Sequence, residues 1–199
     1  MGAGVASTAA ARRALSYAEA RERVLSAVRP LTPEQIPLAE ALGRPLHKPV
    51  MARQALPPFR NSAMDGVAVR CADLARASAA APLSLRVTET VPAGRVAART
   101  VDEGEAIRIM TGAMLPVGAD AVIPVEDAEF LRAPRGVEQV RVSRSPAPGE
   151  NIREAGLDLA VGAVALEAGR ALSPHDLALL AALGEARPTV GRRPHVAVI

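Results

Sequence analysis

The sequence predicts an α+β protein in which a discontinuous linker domain, made of helices and short strands, carries an inserted β-rich domain of barrel or sandwich type. Three observations point there. Helix start signals occur at residue 16 and again at residue 173, and the stretch between them alternates apolar and polar residues with period two. Period two is the spacing of strands. The 17 prolines and 15 glycines among 199 residues also break the chain into many short pieces, which favours turns between brief strands over a parallel sheet.

Residues 1–13 form an Ala/Gly/Ser tail that is predicted to be disordered. Ser16 and Glu19 then have capping-box spacing, and Tyr17, Ala20, Val24, Leu25 and Val28 supply the apolar face of a helix that Pro30 and Pro33 end. Residues 36–38 and 45–50 read as short extended pieces around a turn at Gly43. Together with residues 146–193, residues 14–50 make up the predicted linker domain. Residues 51–145 are the predicted insert, where Leu83, Leu85, Val87 and Val91 alternate with polar positions, Ile107 and Ile109 flank Arg108, and Val140 and Val142 flank Arg141. Residues 161–166 are strand-like, and Ser173 and Pro174 open a second helix as N-cap and N1, continued by Leu177, Leu180, Ala181 and Gly184. The charged turn at Arg193-Pro194-His195 feeds the apolar Val196-Ala197-Val198-Ile199, the usual opening of an α/β unit buried on both faces. Residues 194–199 are therefore predicted to be the first strand of a further α/β domain, truncated in this sequence.

Composition excludes several classes. The net charge is only +3, and all but one of the 24 basic residues are arginines scattered along the chain, with Lys48 the exception. No basic stripe emerges, and aromatics at 2% leave little to stack on bases, so no nucleic-acid partner is expected. Cys71 is the single cysteine, which rules out an intramolecular disulfide and any multi-cysteine metal site. No apolar run reaches the length of a membrane span, and Arg12-Arg13 leads into Tyr17-Ala18-Glu19-Ala20-Arg21-Glu22 instead of the apolar core of an export signal. A cytoplasmic protein is expected.

Ser62-Ala63-Met64-Asp65-Gly66 places one carboxylate between an apolar run and a glycine. Upstream, the consecutive Pro57 and Pro58 prevent a helix, and downstream Gly66-Val67-Ala68-Val69-Arg70 reads as a strand. Asp65 then sits on a rigid loop, either bonding the backbone of its own turn or presenting an acid. Arg108-Ile109-Met110-Thr111-Gly112-Ala113 ends a strand in a Thr-Gly turn, which is either a plain loop or one whose exposed N–H groups near Gly112 hold an anion. Glu126 ends an apolar strand, and Asp158 lies in a loop bounded by Gly149 and Gly162. Two or three such acids suffice for Mg²⁺ with water completing its octahedron. Arg108 and Arg153 are candidates either for a phosphate or for structural ion pairs. His47, His175 and His195 show no ligand spacing and read as structural, and neither a nucleophile elbow nor a Walker or G-x-G-x-x-G loop occurs.

Taken together, Pro58-Phe59 through Ser62-Ala63-Met64-Asp65-Gly66, then Arg108-Ile109-Met110-Thr111-Gly112-Ala113, Gly118-Ala119-Asp120-Ala121-Val122 and Gly149-Glu150-Asn151-Ile152-Arg153 resemble the molybdopterin molybdenumtransferase family, which includes the E domain of gephyrin. The resemblance implies an elongated homodimer with a β-rich domain inserted into a linker and dimerisation domain, followed by a pterin-binding α/β domain and a C-terminal β-barrel. It implies release of AMP from adenylylated molybdopterin and insertion of molybdate, with Mg²⁺ or another divalent cation, in a site assembled between subunits. By motif it casts Asp65, Thr111 and Asp158 as catalytic, Ser62, Arg108, Gly112 and Arg153 as substrate-binding, and Asp65 and Asp158 as metal ligands. Two departures stand out: Leu157 replaces the Glu expected beside Asp158, and Val67 stands where Tyr is usual. The competing expectation is a non-catalytic dimerisation or scaffold module whose acids are turn residues.

Overall fold

The computed structural model describes residues 14–29, 31–132 and 138–198. The predicted tail, Pro30 and Ile199 lie outside the described residues. The elements are helices α1 (Tyr17–Ala27) and α2 (Pro174–Ala182) and strands β1 (Pro33–Gln35), β2 (Val50–Met51), β3 (Asn61–Ser62), β4 (Gly66–Val69), β5 (Leu83–Val91), β6 (Glu105–Ile109), β7 (Ala121–Pro124), β8 (Ala128–Arg132), β9 (Glu138–Val142), β10 (Ile152–Arg153), β11 (Val164–Leu166) and β12 (Thr189–Gly191). The content is α+β. Among the described residues no helix is long and apolar enough to cross a membrane.

The chain divides into two compact units, one running up to Lys48 and resuming at Ala168, the other covering Pro49–Glu167. In the first, β1 runs antiparallel to β12. The guanidinium of Arg44 locks that pair by donating to the Gly191 carbonyl at 2.5 Å and to a carboxylate oxygen of Glu34 at 2.5 Å. Ile36, Leu46, Leu172, Leu180 and Val190 are buried there. The capping box on α1 forms, with the Ser16 amide donating to Glu19 and the Glu19 amide to Ser16 Oγ. No residue of α1 is buried, and Tyr17, Val24 and Leu25 of its apolar face are exposed. Where the sequence predicts a strand over residues 194–199, the described residues 194–198 form none, since no strand lies beside them to complete a ladder.

Helix α2 starts at the predicted cap, and its N-terminus centres on the buried Asp176. One carboxylate oxygen of Asp176 accepts from the Ser173 amide at 2.8 Å, the Ser173 hydroxyl at 2.6 Å and Arg170 Nε at 3.0 Å. These donors hold the carboxyl below its ordinary range, the Ser173 hydroxyl contributing most. A lowered native pKa stabilises the fold above the ordinary carboxylate pKa, and that stability is lost as pH falls through the native value. Ser173→Ala should cost about 1 kcal/mol. It should also shrink the acid-side loss of stability, which thermal unfolding at pH 3 and pH 7 will show.

The second unit holds a six-stranded sheet of order β7-β4-β6-β5-β9-β8, antiparallel except for the parallel pair β5 and β6. Alternate side chains of its strands enter two cores. Val67, Val69, Ala106 and Val140 lie in one, and Ala68, Ile107, Ile109 and Val122 in the other. All four residues of β4 are therefore buried. The predicted boundary at residues 145 and 146 falls inside this unit, because β10 returns to pair with β3 and β11 with β2.

Candidate functional site

The Asp65 loop is fixed from both ends. After it, β4 is sandwiched between β6 and β7, with Gly66 opposite both Ile109 and Pro124. Only glycine fits there: a Cβ on Gly66 would lie 1.9 Å from the Ile123 carbonyl oxygen. Before it, Ser62 pairs with Ile152, donates its amide to the Ala113 carbonyl at 3.0 Å and accepts the Gly112 amide at 2.8 Å. The loop thus meets the Thr111-Gly112 turn along its length.

Asp65 does not bond the backbone of its own turn. That job falls to Ser62, whose hydroxyl donates to the Met64 carbonyl at 2.5 Å and accepts the Met64 amide at 3.2 Å, and which is fully buried. The exposed Asp65 instead reaches across 46 residues to Thr111: one carboxylate oxygen accepts both the Thr111 amide and its hydroxyl, each at 2.7 Å. Both bonds favour the anion, so the carboxyl titrates below its ordinary range, the Thr111 amide contributing most and the hydroxyl next. The other oxygen accepts no bond among the described residues. Thr111→Val keeps the amide and removes the hydroxyl, so the Asp65 carboxyl should titrate at higher pH, as a ¹³C NMR titration of that group will report.

The turn does not form the anion nest held open from sequence. The Thr111 amide is taken by Asp65, the Gly112 amide by Ser62 and the Ala113 amide by the Met110 carbonyl. What Gly112 supplies is its backbone, at φ of 79°.

The remaining candidates are spread over the same unit. Arg108 stands opposite Val67 on β6, its guanidinium 4.7 Å from the Phe130 ring centroid and 3.9 Å from Glu138. Arg153, opposite Asn61, is exposed with no ion pair among the described residues. The neighbouring Arg60 and Glu154 pair at 3.0 Å. Asp158 is exposed, and its amide donates to the Leu56 carbonyl at 2.9 Å. No hydrogen bond joins it to Asp65 or Thr111 among the described residues. Among the described residues no three His, Cys, Asp or Glu side chains gather in a way that could hold a metal ion. Val67, where Tyr was usual, is wholly buried with Val69, so that position serves packing. Cys71 is also buried, and its thiol is pushed up to about 12, by desolvation first and by Asp120 second. A buried thiol that stays protonated at neutral pH is a poor nucleophile.

Sequence reasoning gave Asn151 no role of its own. Its φ of 56° is the one positive value at a non-glycine among the described residues. The Glu-Asn pair following Gly149 was the available signal, since Asn tolerates this region better than most residues.

Residues 15–184 match the family model described as the MoeA N-terminal region (domain I and II). The chain belongs to this family. Among MoeA relatives it is 42% identical over 176 residues to Molybdopterin molybdenumtransferase 2 of Mycobacterium tuberculosis, covering 88% of this chain and 42% of that protein. It is 36% identical over 166 residues to Molybdopterin molybdenumtransferase of Bacillus subtilis, covering 83% of this chain and 38% of that one. The crystal structure of the molybdopterin biosynthesis moeA protein from Pyrococcus horikoshii OT3 superposes with a TM-score of 0.81 at 37% identity, covering 89% of this chain and 46% of that one. The chain thus spans less than half the length of these MoeA relatives.

Proposed function

We propose that this chain supplies the N-terminal part of an enzyme that inserts molybdate into adenylylated molybdopterin with release of AMP, in molybdenum cofactor biosynthesis. The observation that carries the reading is the clamp of Asp65 onto Thr111 in a chain of the MoeA N-terminal family. Breaking a phosphoanhydride needs positioned water and stabilised charge more than a protein nucleophile. Asp65 is exposed and stays ionised at neutral pH, and its second oxygen, which accepts no bond among the described residues, would orient a water or take its proton. Thr111 fixes that orientation through two donors. Arg153, exposed and without an ion pair among the described residues, is the better placed of the two candidates for a phosphate, whereas Arg108 already sits between Phe130 and Glu138.

Mg²⁺ keeps several waters and takes one or two carboxylates besides substrate phosphates, so it does not require a protein cage. Asp65, with one unoccupied oxygen, meets that modest requirement, and Asp158 would be the second ligand. When bound, the ion would neutralise charge on the departing phosphate. The reading includes a cytoplasmic homodimer in which the unit containing α1 is the linker and dimerisation part.

The test is AMP release from adenylylated molybdopterin with molybdate and Mg²⁺, measured on this chain and on a chimera in which it replaces the matching part of the Mycobacterium tuberculosis relative. The chimera should turn over. A soluble, folded chimera that releases no AMP rejects the assignment. The unburied apolar face of α1 favours a second reading, a dimerisation module without catalytic side chains. That reading prevails if the chimera carrying Asp65→Ala still inserts molybdenum and still dimerises.

A further inference from the structure

We infer that Asn151 is a positioning residue, which couples the outer edge of β7 to the Asp65 loop and so holds Asp65 in register with Thr111. The inference rests on the proposed function only for its purpose, since the coupling itself is a property of the folded chain.

Strand β7 lies at one margin of the six-stranded sheet, so one side of it has no strand partner. At Val122 both outward backbone groups are nevertheless used: its amide donates to the Glu150 carbonyl at 3.0 Å, and its carbonyl accepts Asn151 Nδ2 at 2.9 Å. Asn151 therefore completes with a side chain what a neighbouring strand would complete with backbone. The left-handed conformation at φ of 56° turns the chain so that the Asn151 carbonyl accepts the Ala63 amide at 2.9 Å, two residues before Asp65. The next residue, Ile152, pairs with Ser62, which in turn grips Gly112 and Ala113. The turn is braced from behind, because the Glu150 carboxylate is held by Arg144 at 2.7 Å and by the Ala147 amide at 2.9 Å. A non-glycine residue kept in a sparsely populated backbone region, and tied at both ends, is the kind of local strain that recurs at functional sites.

Asn151→Gly keeps the left-handed turn and the bond to Ala63 but deletes the donor to Val122. Asn151→Asp keeps the shape and sets a carboxylate against that carbonyl. Amide exchange and ¹H–¹⁵N spectra of the chain, with no substrate present, separate a positioning role from a merely structural one. The Thr111 amide, which reports its bond to Asp65, should exchange about five- to tenfold faster in Asn151→Gly and shift toward its unbonded position, more so in Asn151→Asp, while amides of β4 and β6 stay within about twofold. An unchanged Thr111 amide in both variants overturns the inference, whatever happens to melting temperature. So does equal acceleration of the sheet amides, or unfolding of both variants, since Asn151 would then hold the fold and not the site.

Discussion

Gly66→Ala is expected to unfold the β-rich unit. The added methyl would meet the Ile123 carbonyl oxygen at 1.9 Å and its carbon at 2.8 Å, and both belong to backbone fixed in the ladder between β4 and β7. No flexible side chain is there to move aside. Relief requires β4 and β7 to separate at the point where β4 is also paired to β6, so the cost should be on the order of 3 kcal/mol or more, at or beyond the usual ceiling for overpacking. Gly112→Ala is the control. Unlike Gly66 it has a left-handed backbone, with φ of 79°, but nothing lies within 4 Å of the new methyl, so its cost should be only about 1 kcal/mol. Thermal unfolding of both variants checks this, and a Gly66→Ala protein as stable as Gly112→Ala would show that the two ladders flanking β4 are not rigid.

Asp65→Ala should abolish AMP release in the chimera while leaving the sheet intact. Asp65 is exposed, and among the described residues its side chain bonds only Thr111, so little packing is lost. What disappears is an exposed carboxylate that the Thr111 amide and hydroxyl hold in its ionised form. A positioned acid or base is worth about 10² to 10⁴ in rate, and the decrease should fall in that range. Asp65→Asn should be nearly as damaging, because an amide can accept from Thr111 but cannot take up a proton or offer a charge to a cation. The paired readouts are AMP formation and the far-UV spectrum. Activity within about threefold of the parent, in a folded variant, would remove Asp65 from the chemistry.

The parts of the fold that the sequence foretold are those written in neighbouring residues. The capping box of Ser16 with Glu19 formed where it was read, and Ser173 with Pro174 opened α2 as N-cap and N1, since a cap involves residues three apart. The strands around Leu85, Ile107 and Val140 followed from their alternation. What escaped was pairing at long range. Nothing local in β5 and β6 indicates that they run parallel, and nothing near Asp65 points to a partner 46 residues on. The same blindness left the amides around Gly112 open between a plain loop and an anion site, until Ser62, distant in sequence, filled one of them. Asp120, quoted from sequence only as part of a motif, accepts the Cys71 amide at 2.6 Å and anchors a turn. In each case a short polar side chain had two possible partners, and the one chosen was set by tertiary proximity.

The manner in which Val122 is satisfied bears on self-association. A bare sheet margin templates the addition of foreign strands, and this sheet has two margins, at β7 and β8. With Glu150 and Asn151 docked along it, β7 offers little to an intruding chain, so runaway stacking would have to begin at β8. There the exposed Glu129, tied to Arg141, sets an ion pair in the path of any newcomer. A molecule that expresses its acid on a loop beside the protected margin therefore keeps that loop clear of misassembly.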